Sequence, residues 1–424
     1  MTSVSNTKDI QPAIKNSKPI IALFTANAIS LTGNIFSSIA IPWLVLQTTG
    51  SATQTGITGF FTILPIVLAG FFGGVLIDRF GFKRTSILAD MASGITVLMI
   101  PILHLTIGLP FWPLMILVFL GALFDAPGST SRDALLPDLA EKAGMPIERA
   151  TSISHVVERG ARLVGAPLAG LLISIIGTVN VLWVDAASFF ISAAIVGGLI
   201  VSSQPKRSSA NSGIYFDEIK AGLQFIVKDQ LILTIIIVIM LTNALDSAFS
   251  GVVQPVYVKE IFGNVLNLGL LIGANGGGAV VGGLIFAAIG PRVSRRYAFI
   301  FAFILTSFRF WAYYYQPPIG VLMAAVFICS IGAGPLNPIL GAVQFERIPQ
   351  DLRGRVFGTI TAGAWIAMPF GMLLGGVLTE KLGVSAVLVG LGIIYLVTTL
   401  SMIFIPAMQG MDRKKIVDTN PTVG

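Results

Sequence analysis

Charge is what this sequence has least of. Lys, Arg, Asp and Glu make up 11% of its 424 residues against 54% hydrophobic ones, and mean hydropathy is +0.86. Soluble domains carry about a quarter charged residues, so a soluble fold is excluded and a polytopic membrane protein implied. Cysteine is nearly absent: Cys329 stands alone in an apolar run, which rules out an intramolecular disulfide. Histidine is limited to His104 and His155, and neither sits in a metal-ligand spacing, so no metal or other cofactor is expected. No Gly-x4-Gly-Lys-Ser/Thr phosphate loop occurs, and no base stands near a nucleophile with an orienting acid. Neither a nucleotide-driven machine nor an enzyme is expected from the chain alone. The apolar runs are continuous rather than alternating, which excludes a β-barrel. The net charge of +7 and pI of 9.6 fit Lys- and Arg-rich cytoplasmic loops better than a nucleic-acid partner.

What is present is a series of apolar runs. About 20 such residues make one helical span, and twelve spans are expected, at 20–47, 54–77, 85–105, 110–131, 150–176, 180–203, 230–257, 268–290, 297–316, 319–344, 356–379 and 384–408. With the N-terminus inside, inner segments hold 22 of the 27 basic residues. Outer loops hold Lys259 and Lys381, while Arg159, Arg162 and Arg309 fall within spans. Omitting one span would invert every later loop, so both termini are expected in the cytoplasm. The first apolar run is too long for a cleavable signal and reads as a retained span. The fold class is therefore all-α integral membrane, twelve helices in two six-helix bundles. Tails at 1–19 and 409–424 flank bundles at 20–203 and 230–408, and 204–229 forms a central cytoplasmic loop. Ile219, Leu223 and Ile226 are spaced for a short amphipathic helix over Asp217–Lys228.

The halves echo each other. Gly74 and Gly81 at the end of span two match Gly283 and Gly290 at the end of span eight; Gly165, Gly170 and Gly177 match Gly371, Gly376 and Gly383. Six spans per repeat relates the halves by an axis along the membrane normal.

The turn between spans two and three reads Gly74-Val-Leu-Ile-Asp78-Arg79-Phe-Gly81-Phe-Lys83-Arg84. It resembles the loop 2–3 signature of the major facilitator superfamily at every specified position. Other stretches resemble the branch that holds macrolide-efflux proteins and the enterobactin exporter. They are Phe124-x-x-Pro127 with Arg132-Asp133-Ala134-Leu-Leu-Pro137-Asp138, Ala161-Arg162-Leu-Val-Gly165, Asp185-Ala-Ala-Ser188-Phe189, and Glu346-Arg347-Ile-Pro349 with Leu352-Arg353-Gly354-Arg355-Val-Phe357-Gly358. The resemblance covers about residues 20–405. It implies a secondary transporter whose spans one and seven line a central cavity. It also implies that the loop Gly74, Asp78, Arg79, Gly81, Lys83, Arg84 latches the cytoplasmic side shut, with Asp78 facing the start of span eleven. The second copy has Ala287 and Ala288 where Asp78 and Arg79 stand, and Asn34 occupies a position where related exporters often carry an acid.

Charges inside a bilayer cost about 2.5–3.5 kcal/mol each on insertion scales and mark functional candidates. Asp246 lies about 22 Å into span seven at 1.5 Å per residue, in a stripe with Asn243, Ser250 and Gln254. Span one carries a matching stripe of Asn27, Ser30, Asn34 and Ser38. The stripes read either as cavity lining, to which Asn337 of span ten is added, or as polar glue between helices. Glu158 and Arg162, four apart near His155 and Arg159, can pair on one face. The pair reads as a structural lock or as a proton site, since a desolvated carboxylate that loses its partner takes up a proton. Asp125 could join it. Asp90 and Asp185 read as packing or capping residues, and Arg309 is expected to snorkel outward.

The reading is of a monomeric transporter in a bacterial inner membrane, with no ATPase subunit, that exports an amphipathic compound such as a macrolide or siderophore against protons. Proton-coupling candidates are Asp246, Glu158, Arg162 and Asp125. Rival readings are an importer or uniporter on the same scaffold, a non-transporting sensor, and a permease with a separate ATPase.

Overall fold

A computed structural model describes residues 16–200, 220 and 222–412. The amphipathic helix expected from Asp217 lies mostly outside the described residues, but 222–228 are helical. Long helices run α1 Lys18–Thr49, α2 Ala52–Phe80, α3 Phe82–Thr106, α4 Phe111–Ala143, α5 Ile147–Ile176, α6 Thr178–Leu199, α7 Gln230–Ile261, α8 Val265–Ile289, α9 Arg295–Tyr314, α10 Ile319–Arg347, α11 Arg353–Leu382 and α12 Val384–Phe404. Among the described residues, 11 are long and apolar enough to cross a membrane. The exception is α9, whose apolar run is broken by Arg309 and by Trp311, Tyr313 and Tyr314.

Local chemistry sets the ends. Gly50 turns α1 into α2 at φ 69°, and Ser51 caps α2 by accepting the Gln54 amide at 3.1 Å. Asp229 caps α7 by accepting the amides of Leu231 and Ile232. The largest departure from the expected spans is α4, which continues through Arg132 to Ala143, leaving only Gly144–Pro146 before α5. Arg132, expected in an inner loop, is instead buried at 1% exposure. Asp90 neutralises it, so the helix carries it without facing lipid.

Helices α1–α6 pack on one another, as do α7–α12, and the two sets meet where α2 packs on α11 and α5 on α8. In lipid no hydrophobic effect drives helix against helix, so close approach through small residues carries the packing. The repeated glycines hold equivalent posts. Gly165 of α5 faces Ile35 of α1 as Gly371 of α11 faces Ala244 of α7, and Gly170 meets Gly269 of α8 as Gly376 meets Gly56 of α2. Gly177 and Gly383 then turn the chain at φ 89° and 80°. These meetings lie at the end remote from the termini. Toward the termini the glycines of α5 and α11 have no such partners: a Cβ at Gly160, Gly354 or Gly358 would meet nothing within 4 Å.

Candidate functional site

Each half holds a buried charge set. In the first, α1, α3, α4 and α6 converge on Arg132. Its guanidinium donates to Asp90 at 2.6 Å, Asn27 at 2.9 Å and Ser30 at 3.3 Å, and Asp90 also accepts from Ser192 at 2.7 Å. About two turns earlier in α4, Asp125 accepts from Asn34 at 3.0 Å through Oδ2, while its buried Oδ1 has no partner. Asp185 accepts from Ser37 and, at 3.3 Å, from Ser188, tying α6 to α1. Two of these acids, Asp125 and Asp185, have no cation bonded to them.

The second set sits in α7, α9 and α12. Arg309 does not snorkel outward: it is buried and bonded to Asp246. Its guanidinium carbon lies 5.2, 4.9 and 6.0 Å from the ring centres of Phe249, Phe310 and Tyr395. A cation among desolvated rings is held by their negative faces as well as by its counter-ion. A sequence-local reading sends a lone arginine to the nearest interface, because its partner stands 63 residues away. Beside Asp246, α7 widens into a π-turn over Phe249–Val253, so that Ser250 returns its hydroxyl to the Asp246 carbonyl at 2.8 Å. Such turns recur at functional sites. The one hint in the sequence is Gly251 followed by Pro255.

The polar stripes divide between the two readings offered for them. Asn27 and Asn34 reach across to α4, Asn243 donates to the Ala364 carbonyl at 2.9 Å, and Gln254, 4% exposed, donates to the Tyr313 hydroxyl at 2.7 Å. These four join helices within one half. Ser38, Ser250 and Asn337 are exposed. Glu158 and Arg162 pair at 3.2 Å, with His155 4.0 Å from the same carboxylate, and Asp125 is not part of that group. The pair lies in the half of α5 nearer the termini, with 44% of the Glu158 and 70% of the Arg162 side chain exposed.

Of the loop 2–3 motif, the side chain of Asp78 and the surroundings of Gly74 lie outside the described residues. Arg79 is exposed and stacks 5.6 Å from the Phe80 ring centre; Gly81 makes the turn at φ 77°; Arg84 is exposed. Lys83 donates to the Gly197 carbonyl at 2.8 Å, fastening α3 to α6.

Between the charge sets and the closed end lies an apolar roof. Phe60 meets Phe370 across the halves at 5.8 Å between ring centres, Phe61 packs on Phe119, and Met372 lies against Gly59 and Gly251. An apolar roof over paired charges suits a molecule with both characters.

A family model described as transmembrane secretion effector matches residues 16–422. The chain belongs to this family of the major facilitator superfamily. It is a multi-pass membrane transporter, not an enzyme. It is 31% identical over 414 residues to the multidrug efflux pump Tap of Mycobacterium tuberculosis, covering 96% of this chain and 98% of that protein. Macrolide efflux protein A of Streptococcus pyogenes is 20% identical over 367 residues, covering 86% and 90%. Among solved structures, the nucleoside transporter NupG superposes with a TM-score of 0.73 at 12% identity, over 92% of this chain and 98% of that one. A D-xylose-proton symporter does so at 0.69 and 16%, over 92% and 98%, which speaks for the fold alone.

Proposed function

We propose that this chain exports amphipathic drugs, macrolides among them, from the bacterial cytoplasm in exchange for protons. In this reading all twelve helices, α9 included, cross the inner membrane with both termini inside. The halves, divided at the 204–229 loop, rock about the charge sets so that the space between them opens on alternate sides. The protein works as a monomer with no ATPase subunit. The likeness to a multidrug pump over nearly the full chain supports the substrate class.

The observation that carries the mechanism is one partly buried carboxylate per half, held by few partners. Asp125 is held by one amide with its second oxygen unpartnered, and Asp246 by one guanidinium. A shift of α1 against α4, or of α9 against α7, that accompanies rocking and pulls Asn34 or Arg309 away would leave a carboxylate in a dry site, where it takes up a proton. Re-forming the bond expels the proton on the other side. Glu158, with Arg162 four residues on, stands where a proton or a cationic drug would arrive from the cytoplasm.

Inverted vesicles loaded by an imposed proton gradient give the test. Wild-type protein is expected to concentrate a fluorescent drug or labelled macrolide, and Asp246→Asn and Asp125→Asn to cut accumulation at least tenfold. Accumulation that persists after an ionophore collapses the gradient would remove proton antiport from the account.

A further inference from the structure

At the closed end, two charged residues of the second half grip one corner of the first. The corner is the tight connection of α1 to α2 through Gly50. Lys259, near the end of α7, donates its ammonium to the Leu46 carbonyl in the last turn of α1. Glu380, near the end of α11, accepts from the Ser51 hydroxyl at 2.6 Å and the Thr53 amide at 2.7 Å in the first turn of α2. Each charge meets the helix end of opposite polarity: a cation on the Leu46 carbonyl, which also accepts the Gly50 amide, and an anion on the Thr53 amide. Ser51 meanwhile accepts the Gln54 amide. Glu380 thus satisfies a further first-turn amide from the other half of the molecule, while the Ser51 amide, which a glutamate three residues after the cap would ordinarily take, donates to Thr49 Oγ1 at 3.1 Å. In α2 that third position is Gln54, whose buried side-chain Oε1 is without a partner.

We propose that Lys259 and Glu380 form a clasp that holds the closed end shut, and that releasing it opens this side of the transporter. The proposal rests on the alternating-access reading above. The bonds belong to the closed arrangement alone, because α2 must separate from α11, and α1 from α7, when that end opens. Glu380 is exposed, so water and salt weaken the clasp rather than being shut out of it. A lock of moderate strength is what a cycling gate requires, since a buried ion pair would hold one state too firmly.

The test replaces Cys329 with serine and places spin labels at Ile107→Cys and Tyr315→Cys, both 76% exposed at the closed end and one in each half. Distance distributions are recorded by pulsed electron resonance in lipid nanodiscs. Glu380→Ala and Lys259→Ala are each expected to raise the ratio of long to short distances by roughly threefold to tenfold, and the double variant by more. Glu380→Gln, which keeps the shape, is expected to give a smaller rise. Raising salt to about 1 M, where the Debye length is roughly 3 Å, is expected to move the unsubstituted protein the same way. A double variant that melts like the parent and shows the parent's distances would overturn the clasp. Drug efflux by the unlabelled wild type is measured in parallel, and its absence would overturn the transport reading whatever the distances do.

Discussion

Arg132 and Arg309 are each sunk in one half of the protein with a carboxylate for a partner. Removing one member of a buried pair strands the other at a cost of about 3–5 kcal/mol. Asp90→Ala is therefore expected to lower the melting temperature in detergent far more than an average substitution. Arg132→Lys is expected to fail as a replacement, because an ammonium cannot reach Asp90, Asn27 and Ser30 in one plane. For Asp246 and Arg309 stability and transport should separate: Asp246→Leu with Arg309→Met is expected to melt near the parent and to transport nothing. If both properties recover together, the pair is scaffolding only. Glu158→Gln is the opposite case. A half-exposed pair four residues apart contributes about 0.3–0.5 kcal/mol, so its melting curve should not move and any loss of efflux reports function. Asp246 was legible in the sequence because a charge in an apolar run has no cheap explanation. Its partner was not, since pairing across 63 residues leaves no periodic trace.

At the scale of helices, glycine spacing proved the more informative signal. The matched triplets 165, 170, 177 and 371, 376, 383 turn out to mark the same three jobs in each half: contact within the half, contact between halves, and a turn. The partner Gly56 was not legible, because one glycine in an apolar run looks like another until its neighbour is known. Helix ends were read poorly where polar residues stay helical, as in α4, whose Arg132 and Lys142 suggested a long loop that is only Gly144–Pro146. The polar stripes were legible as stripes but not their partners, because hydrogen-bonding side chains satisfy themselves against neighbours as readily as against a ligand. A Cβ at Gly376 would run into the Ala52 carbonyl and Gly56. Gly376→Leu is accordingly expected to keep α2 from seating on α11, to abolish efflux, and to leave insertion unchanged. Membrane fractionation and the vesicle assay decide it; efflux within twofold of wild type would mean that this contact is not part of the cycle.

For the molecule as a whole, the count of spans is what joins fold to function, and it turns on α9. Eleven helices qualify on composition, and an odd number would place the termini on opposite sides. The case for α9 crossing is that its charges are spent inside the protein. Arg309 is bonded to Asp246 among three rings, and Arg295 at its start is held by both oxygens of Glu346 at 2.6 and 2.8 Å. A helix whose arginine faces its neighbours presents an apolar surface to lipid whatever its mean hydropathy. The prediction is tested by single cysteines in the Cys329→Ser background, labelled in intact cells with an impermeant maleimide. Ile107→Cys and Tyr315→Cys are expected to react from outside, Glu141→Cys and Gln409→Cys only after permeabilisation. Ile107 ends α3 and Tyr315 follows α9, so the two report the same side if the halves repeat. Labelling of Ile107→Cys with protection of Tyr315→Cys would take α9 out of the membrane and with it the symmetry on which the rocking mechanism depends.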